Sequence, residues 1–481
     1  MSTPLFSIVI PTFNRSDLVT LAIQSILRQT FSDFEIVVSD NFSTDDTARV
    51  VNQITDSRLR YIRTPAHLVM ADNWEFGRSK ATGRLILMLA DDDALVATAL
   101  TRFAAEFGSR NAEFLFCSVA EYRDRTFLGA GANMLLFAPF SGSSRVVQRD
   151  DFLGSLFSFR PKLRFDPSAF VFDRTIADTV ASRCGRFFKT NGVEYFSWPL
   201  AAVFAKRIVH IDAPLAITGR TAKSWGTNLV LCNPGSKRIA EYVADVDQER
   251  HCAPLNNFTF CNLMAEGMLM AKRLFPKELT RYDFDEREYL RRTRIELRQR
   301  ESLGVDVTAE LDELESYVTK YPSLKEELFD RSHAPASVTR STSPAAKAPA
   351  RGTGHQNTWT RVRYEVSSWI QVAGEDSGFH DILGSAEFLG SVVAPDENRG
   401  RDPLSALIGG KALTRARGAT YGDLPAAKAY LRFVVKVWPQ AVRTAEFWSV
   451  VLRLAVGRPG IKVGHALKRR LRGLAFTSPR E

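Results

Sequence analysis

The sequence predicts an α/β fold, with a mostly parallel, Rossmann-like β-sheet covered by helices on both faces and a helical region after it. Apolar runs of strand length recur in the first part of the chain, as in residues 6–10, 34–38 and 85–89. Stretches with apolar residues at helical spacing separate these runs. Strands and helices that alternate in this way form βαβ units with right-handed crossovers. From about residue 256 onward the helical spacing dominates.

The elements of the first half follow one another in a regular order. The first strand ends at Pro11, and the next helix begins at Ser16 or Asp17, which are favourable N-cap residues. A polar turn at 39–47 follows the second strand. The spacing then predicts a helix at about 45–54, a strand at 59–62, a helix around 72–80, the strand at 85–89, a helix at 94–107 and a strand at 114–117.

The first predicted domain covers residues 1–230. Its stretch from 123 to 172 is irregular and rich in Phe, Gly and Ser, and we expect it to build the second half of a cleft. A helix at 195–204 and a strand at 208–211 then close the domain near Trp225.

Three further parts are predicted after this domain. A helical extension occupies 231–332, with helices at 258–274, 286–303 and 308–317. Residues 333–356 are rich in Pro, Ala, Ser and Thr and too poor in apolar residues to fold, which predicts a flexible linker. The last part, 357–481, is basic and expected to be mostly helical.

The composition, 45% hydrophobic and 25% charged, is that of a globular protein. Five cysteines form no CxxC pair, which favours a reducing compartment and argues against a zinc site. The start of the chain shows no signal-peptide pattern, and no apolar run approaches the roughly 20 residues of a membrane-spanning helix. These features predict a cytoplasmic protein.

The positive charge is concentrated at the C-terminal end. Residues 425–481 hold twelve Lys and Arg against two acids, which equals the net charge of +10 of the whole chain. With Trp438 and Trp448, this segment has the composition of an interfacial helix on an anionic membrane surface, here the inner face of the cell membrane. The alternative is a basic helix packed on the protein's own surface. A nucleic-acid partner is not expected, because no recognition module is present.

Polar residues follow three strands of the predicted parallel sheet, in loops 11–15, 40–47 and 91–93. The carboxyl ends of parallel strands meet at one edge, where ligands bind. Asp91, Asp92 and Asp93 repel one another at the end of a buried strand, and Mg²⁺ or Mn²⁺ would stabilise them. The alternative is an acidic turn in which Asp93 caps a helix that starts near Ala94.

Two common phosphate-binding loops are missing from the sheet. No GxGxxG follows the first strand, and no GxxxxGK[ST] occurs. Phosphate charge would therefore be met by a metal at the aspartates, helped by a helix N-terminus or by Arg.

Four segments together resemble the inverting glycosyltransferases of family 2, which have the GT-A fold. These segments are FSIVIPTFNR at 6–15, VSDNFSTD at 38–45, ATGR at 81–84 and LADDD at 89–93. Their order and spacing are more specific than any one of them, and they look most like bacterial sugar transferases that build surface polysaccharides. The resemblance covers about the first 230 residues.

The resemblance implies a nucleotide-sugar donor, UDP-, GDP-, CDP- or dTDP-linked, and assigns residues to it. Pro11 and Thr12 would line the nucleoside pocket, with Asn14 in the same donor-binding loop, and Asp40 would accept a hydrogen bond from the base. The aspartates of LADDD complete the assignment: the ribose and diphosphate face Asp91 and Asp92, and the metal site is made of Asp91, Asp92 and Asp93. Which aspartate binds the ion directly stays open, and so does a purely local role of Asp40 in an Asx turn. Asp45 is better explained as a helix N-cap than as a ligand.

Inversion in one displacement also requires a general base for the acceptor hydroxyl. Many family members carry Glu-Asp in the second half of the domain, and this chain has no such pair there. Glu194, just before a predicted helix, is the nearest counterpart, with Asp166 and Asp173 as weaker candidates. The alternative for Glu194 is a surface residue favoured by the helix dipole.

Two other departures from the family pattern bear on function. Asn41-Phe42 stands where the family often has Asp-Gly, which affects the pocket around the base. The chain has no QxxRW motif and no spanning helices, so transfer of one sugar per event is expected rather than processive synthesis.

The sequence as a whole predicts a metal-dependent, inverting glycosyltransferase. Its acceptor would be a cell-surface glycan or its lipid-linked precursor. A catalytically silent binding or assembly subunit is the rival function, and the missing Glu-Asp pair leaves it open. A nucleotidyltransferase is disfavoured because loop 11–15 is not a Gly-rich basic loop.

Overall fold

The computed structural model describes residues 3–129, 131–160, 166–190, 192–231, 252–329, 370–377 and 379–393, and residues 427–428, 431, 434–435, 441, 444 and 447–451. The predicted linker at 333–356 lies outside the described residues, as does most of the basic C-terminal segment.

An α/β architecture is present, as predicted, and its core is one sheet of eleven strands. The strands are β1 (Phe6–Thr12), β2 (Phe34–Asp40), β3 (Leu59–Arg63), β4 (Leu85–Met88), β5 (Ala94–Leu95), β6 (Phe114–Arg123), β7 (Met134–Phe137), β8 (Ser144–Val147), β9 (Phe170–Asp173), β10 (Ile208–Arg220) and β11 (Ile370–Ala373).

Helices cover the sheet and continue beyond it. Those before residue 232 are α1 (Ser16–Leu27), α2 (Thr47–Asn52), α3 (Met70–Ser79), α4 (Ala99–Ser109), α5 (Arg149–Phe157), α6 (Arg174–Cys184), α7 (Val193–Phe204) and α8 (Trp225–Leu231). Those after it are α9 (Phe260–Leu274), α10 (Pro276–Leu279), α11 (Glu286–Ser302), α12 (Thr308–Tyr317), α13 (Pro322–Phe329), α14 (Gly374–Ser377) and α15 (Ile382–Val393).

The first half of the sheet is parallel, with the strand order β3-β2-β1-β4. All residues of β1 and β4 are buried, because helices cover both faces of these central strands. The register pairs Thr12 with Asp40 at the ends of β1 and β2. The loops after β1, β2 and β4 therefore lie at one edge of the sheet.

The second half of the sheet is mixed rather than parallel. β9 lies antiparallel between β4 and β6, and β7 and β11 continue the antiparallel order. Only β10 runs parallel to β6. The loop between β6 and β7 is too short for the dozen or more residues of a parallel crossover, so these strands form a hairpin.

The alternative role of Asp93 as the cap of a helix starting near Ala94 is wrong. Ala94 and Leu95 form β5, which pairs with β10, and helix α4 begins only at Ala99 with Thr98 at the N-cap position. Both carboxylate oxygens of Asp93 are instead bonded to groups from distant parts of the chain.

Helix α9 packs directly against α7. Gly267 makes this possible, because a Cβ at that position would lie 2.8 Å from the backbone nitrogen of Phe196. The middle of α9 is therefore held close to the start of α7.

A segment from the far side of the predicted linker also packs on the first domain. Strand β11 pairs antiparallel with β7, and Asn133 donates to Glu375 at 2.7 Å. In the basic C-terminal segment Val434 is fully buried, whereas Val435 and Trp448 are 41% and 42% exposed. No helix in the described part of the chain has both the length and the apolar character needed to cross a bilayer.

Candidate active site

A cavity of about 270 Å³ opens at the edge of the sheet where β1 and β4 end. Its walls come from the loops after β1, β2 and β4, the segment around His67 and the start of α3, residues 166–167, the end of β10 with the loop after it, the start of α7, and the start of α9. The lining residues used below are Pro11, Thr12, Phe13, Arg15, Asn41, His67, Asp91, Asp92, Asp93, Asp166, Val193, Glu194, Gly219, Arg220, Ser224, Trp225, Phe260 and Leu263.

Asp91 is bound to the loop after β1 through both of its carboxylate oxygens. Thr12 donates its hydroxyl to Oδ2 at 2.7 Å, and Arg15 donates Nη1 to Oδ1 at 2.7 Å. The same Arg15 nitrogen lies 3.8 Å from Asp92 Oδ2, and its Nη2 donates to the carbonyl of Lys223 at 2.5 Å. Arg15 therefore joins the first strand, the aspartates and the loop after β10.

Asp92 and Asp93 are held from the second half of the domain. Ser224 donates its hydroxyl to Asp92 Oδ2 at 2.5 Å. Asp93 accepts the hydroxyl of Ser168 and, at 2.8 Å, the backbone N–H of Gly219. The three neighbouring aspartates thus point to three different partners.

Gly219 is required by the close approach of β10 to the aspartate loop. A Cβ at this position would lie 1.8 Å from the carbonyl oxygen of Asp92. Only a residue without a side chain allows β10 to reach Asp93 at this distance.

The pKa values of two aspartates are raised in this setting. Burial raises the pKa of Asp91, the guanidinium of Arg15 opposes that rise, and the neighbouring Asp92 adds to it. Burial, with Asp166 and Asp92 nearby, holds the pKa of Asp93 well above its usual range. Negative charge is therefore costly at this loop, and a cation would stabilise it.

The residue types at this loop fit a hard divalent cation, because Mg²⁺ and Mn²⁺ prefer carboxylate oxygens. Among the residues that the structure describes, no three His, Cys, Asp or Glu side chains converge into a metal cluster. A cation here would be held by one or two of Asp91, Asp92 and Asp93. Ligands from outside the chain, such as phosphate oxygens and water, would complete its coordination, as is usual for Mg²⁺.

Asp40 and Asn14, both assigned to the donor, lie behind the cavity wall. Asp40 is fully buried and accepts the N–H of Ser43 at 2.9 Å and the hydroxyl of Tyr61. The bond to Ser43 spans three residues rather than the two of an Asx turn, but it is local, as the alternative for this residue expected. Asn14 Oδ1 accepts the N–H of Thr44 at 2.7 Å, so Asn14 joins the loops after β1 and β2.

Asp45 binds the starts of two helices rather than the cavity. Its carboxylate accepts the N–H of Ser16 at 3.1 Å and the N–H of Thr47 at 3.0 Å. The expected N-cap is thus displaced by one residue: Asp46 stands at the N-cap position of α2, and the carboxylate of Asp45 before it binds the first residues of both α1 and α2.

Asn41 fixes the loop that forms one rim of the cavity. Its side chain donates to the carbonyl of Leu68 at 2.7 Å and accepts the Leu68 N–H at 2.8 Å. The ring of His67 in this loop contacts the ring of Phe13 at a tilt of 40°, with centroids 4.4 Å apart. Phe42, next to Asn41, has a φ of 62° and is 41% exposed outside this rim.

Glu194 lies in the first turn of α7 and lines the same cavity as the three aspartates. Asp166 also lines it, and accepts the hydroxyl of Thr218 at 2.5 Å. Asp173 does not belong to this wall: it caps α6 through the N–H of Thr175 at 3.1 Å and pairs with Arg84.

Local sequence patterns assign no role to several residues that build this site. Ser224 and Gly219 lie more than 120 residues from the aspartates that they hold, and neither is in a motif. Phe260 and Leu263 come from the helical extension, outside the predicted domain. Arg15 could be singled out from the sequence, because it is the last residue of the segment FSIVIPTFNR at 6–15.

Residues 7–177 match the sequence model of the family described as Glycosyl transferase family 2. This part of the chain is a family 2 glycosyltransferase domain. It contains the loops after β1, β2 and β4, and it ends before Glu194.

Curated glycosyltransferases of bacteria are similar to parts of the chain. A GalNAc(5)-diNAcBac-PP-undecaprenol β-1,3-glucosyltransferase of Campylobacter jejuni is 40% identical over 101 residues, which are 20% of this chain and 33% of that protein. A PGL/p-HBAD biosynthesis glycosyltransferase of Mycobacterium bovis is 35% identical over 136 residues, 27% of this chain and 53% of that protein.

An Escherichia coli UDP-Glc:α-D-GlcNAc-diphosphoundecaprenol β-1,3-glucosyltransferase is 35% identical over 97 residues, 20% of this chain and 39% of that protein. The chain thus spans between a third and about half of the length of these relatives. Among solved structures, S. aureus TarS 1-349 in complex with UDP-GlcNAc aligns with a TM-score of 0.41 and 16% identity over 67% of this chain and 90% of that one.

Proposed function

We propose that this protein is a metal-dependent, inverting glycosyltransferase that moves one sugar from a nucleotide-sugar donor to a cell-surface glycan or a lipid-linked acceptor. The observation that carries the proposal is that Asp91, Asp92 and Asp93, in the loop after β4, line one cavity with Glu194, which lies about 100 residues later in the first turn of α7. A donor site and a base in one enclosure are what a single displacement requires.

The donor occupies the side of the cavity formed by the parallel strands. Pro11, Thr12 and the Asn41 rim face the nucleoside, and the aspartates face the ribose and diphosphate. Asp40 and Asn14 contribute by holding the loops in position, since their side chains are bonded within the protein. Arg15, already at Asp91, adds positive charge on the diphosphate side.

A cation held by Asp91, Asp92 or Asp93 would supply Lewis-acid stabilisation of the diphosphate. In the displacement itself, the acceptor oxygen forms a bond to the anomeric carbon while the bond from that carbon to the phosphate oxygen breaks. The carboxylate of Glu194 accepts the proton of the acceptor hydroxyl, and the nucleoside diphosphate leaves with the electron pair.

The relatives support a lipid-linked acceptor. The Campylobacter and Escherichia proteins are named for sugar acceptors joined by a diphosphate to undecaprenol. UDP is the first nucleotide to test, because the Escherichia protein is named for UDP-glucose.

Peripheral attachment to an anionic membrane surface through residues 425–481 would bring the enzyme to such an acceptor. The exposed Trp448 and the basic composition of this segment support it. Deletion of 425–481 should move the protein from pelleted anionic vesicles to the supernatant. Unchanged pelleting would contradict the attachment.

The test of the donor site is calorimetric binding of UDP, GDP, CDP and dTDP, each with Mn²⁺ and then with EDTA. We expect one nucleotide to bind in a metal-dependent way and its affinity to fall by at least tenfold in Asp92→Ala, because a charge-assisted contact is lost. Asp46→Ala, at an exposed aspartate paired with Arg49, is the control and should bind like the wild type. No binding of any nucleotide would favour the silent binding subunit.

A further inference from the structure

We propose that helix α9 of the helical extension forms the acceptor wall of the cavity, and that Phe260 and Leu263 hold the C–H face of an acceptor pyranose beside Glu194. This inference rests on the proposed function. It assigns a substrate class to residues that lie beyond 7–177, the part of the chain that the family model matches.

The placement of these residues is the first argument. Phe260 and Leu263 line the same cavity as Glu194, together with Val193 and Trp225. Leu263 is one turn after Phe260 on α9, so the two side chains share a helix face. The apolar residues thus lie at the end of the cavity that holds the proposed base.

The close packing of α9 on α7 makes this wall rigid. A Cβ on Gly267 would meet the backbone of Tyr195 and Phe196 at 2.8 Å, and a Cβ on Gly192 would lie 3.2 Å from the carbonyl of Leu263. Backbones this close leave no room for the two helix starts to shift independently. Glu194 and Phe260 are therefore fixed relative to each other.

The start of α9 is also anchored from α11. The buried carboxylate of Glu296 accepts the N–H groups of Phe260 at 2.7 Å and Cys261 at 3.1 Å, and Thr259 accepts the N–H of Asn262 at 3.0 Å. These bonds satisfy the first donors of the helix and stop it from fraying. Phe260, which lines the cavity, is thus held at a well-anchored helix start.

The chemistry of this end of the cavity selects a sugar rather than an isoprenoid chain. Aromatic and aliphatic side chains line one cavity together with Glu194, Asp166 and Asp93. A pyranose offers an apolar C–H face to the aromatic and aliphatic side chains and a rim of hydroxyls to the carboxylates. An isoprenoid chain would remove water from the carboxylates without replacing their hydrogen bonds, which is costly.

The experiment compares Phe260→Ala and Leu263→Ala with Leu274→Ala, an apolar residue of the same helix that is 37% exposed at its other end. Protein loaded with the nucleotide that binds is titrated with a panel of methyl pyranosides and, separately, with farnesyl phosphate. Nucleotide affinity is measured first on every variant.

We expect at least one methyl pyranoside to bind the wild type and Leu274→Ala, with roughly tenfold weaker binding to Phe260→Ala, the size of one aromatic contact. Nucleotide affinity should stay within about twofold of the wild type in all variants, because α9 does not line the donor side. In a transfer assay, Phe260→Ala should raise the KM for the acceptor and leave the KM for the donor unchanged.

Equal pyranoside affinity in Phe260→Ala and Leu274→Ala would overturn the inference, as would a wild type that binds no pyranoside of the panel. Farnesyl phosphate binding that depends on Phe260, without pyranoside binding, would assign the wall to the lipid instead. A wild type that binds no nucleotide would count against the proposed function, and this result is separate from the pyranoside titrations.

Discussion

The two halves of the sheet build the site in different ways. In the parallel half, the loops after β1, β2 and β4 meet because parallel strands end at one edge, and their polar side chains are largely bonded to one another. In the mixed half, the groups that reach the cavity or its aspartates come from separate places: Ser168, the end of β10, and the starts of α7 and α9. The first kind of site follows from strand order, whereas the second follows from tertiary packing.

This difference explains why Asp91, Asp92 and Asp93 depend on both halves. Thr12 and Arg15 hold Asp91 from the parallel side, and Ser224, Ser168 and Gly219 hold the other two from the opposite side. The aspartate loop, residues 91–93, thus connects the two halves of the sheet. We call this loop and the groups that hold it the joint, and changes there should have the largest effects.

Gly219→Ala should have the largest effect of the changes at the joint. The new Cβ would overlap the carbonyl oxygen of Asp92, so β10 or the aspartate loop must move by about an ångström. We expect sugar transfer to fall roughly 100-fold and the free energy of unfolding to fall by about 1–3 kcal/mol. Turnover and denaturant melts measure the two effects.

The matched control is Gly108→Ala in helix α4, where a new Cβ meets no atom within 4 Å. It should keep full activity and gain up to about 1 kcal/mol of stability from helix propensity. If Gly219→Ala were as active as Gly108→Ala, the close approach of β10 would not matter for the site.

Arg15→Ala should have an intermediate effect on function, although its cost in stability is as large as that of Gly219→Ala. It leaves the carboxylate of Asp91 buried without its cation, which costs about 3 kcal/mol of stability for a buried pair. It also removes positive charge from the donor side, so nucleotide affinity should fall roughly tenfold, as measured by calorimetry. Arg28→Ala, which breaks an exposed pair with Glu387, is the comparison and should cost less than about 1 kcal/mol. Equal effects of the two changes would argue against a special role of Arg15.

Phe42→Gly should have the smallest effect, although it places glycine where the family often has Asp-Gly instead of Asn41-Phe42. The change relieves a positive φ that costs about 1 kcal/mol in a non-glycine residue. It also removes the contact of the ring with Arg63, 4.6 Å from the centroid, which is worth about 0.5–1 kcal/mol.

The two effects of Phe42→Gly nearly cancel, so stability should stay within about 1 kcal/mol and nucleotide affinity should not change. Chemical denaturation and calorimetry check the two expectations. A marked change in nucleotide affinity would mean that the departure from Asp-Gly reshapes the base pocket after all.

Sequence reasoning was most successful in the parallel half. Strand and helix periodicity predicted β1, β2, β4 and the helices between them, because each element there is local in sequence. The same reasoning extended parallel pairing too far, because a short loop such as the one between β6 and β7 forces an antiparallel partner.

At the site, the motif residues were found but their partners were not. The place of Thr12 and Asp91 follows from strand order, whereas the bond from Ser224 to Asp92 spans 132 residues and leaves no local pattern. Asp40 shows the opposite limit of prediction from motifs. It belongs to a motif, but its carboxylate is bonded to Ser43 and Tyr61 within the protein.

The central claim is that a donor site in the parallel half works with a base, Glu194, supplied by the other half. The most direct measurement is nucleotide affinity together with sugar transfer in Glu194→Gln, with Glu278→Gln, another glutamate in the first turn of a helix but outside the cavity, as the control. The account predicts unchanged nucleotide affinity in both variants and a loss of transfer of roughly 100-fold or more in Glu194→Gln alone. Transfer near the wild-type rate in Glu194→Gln would contradict it.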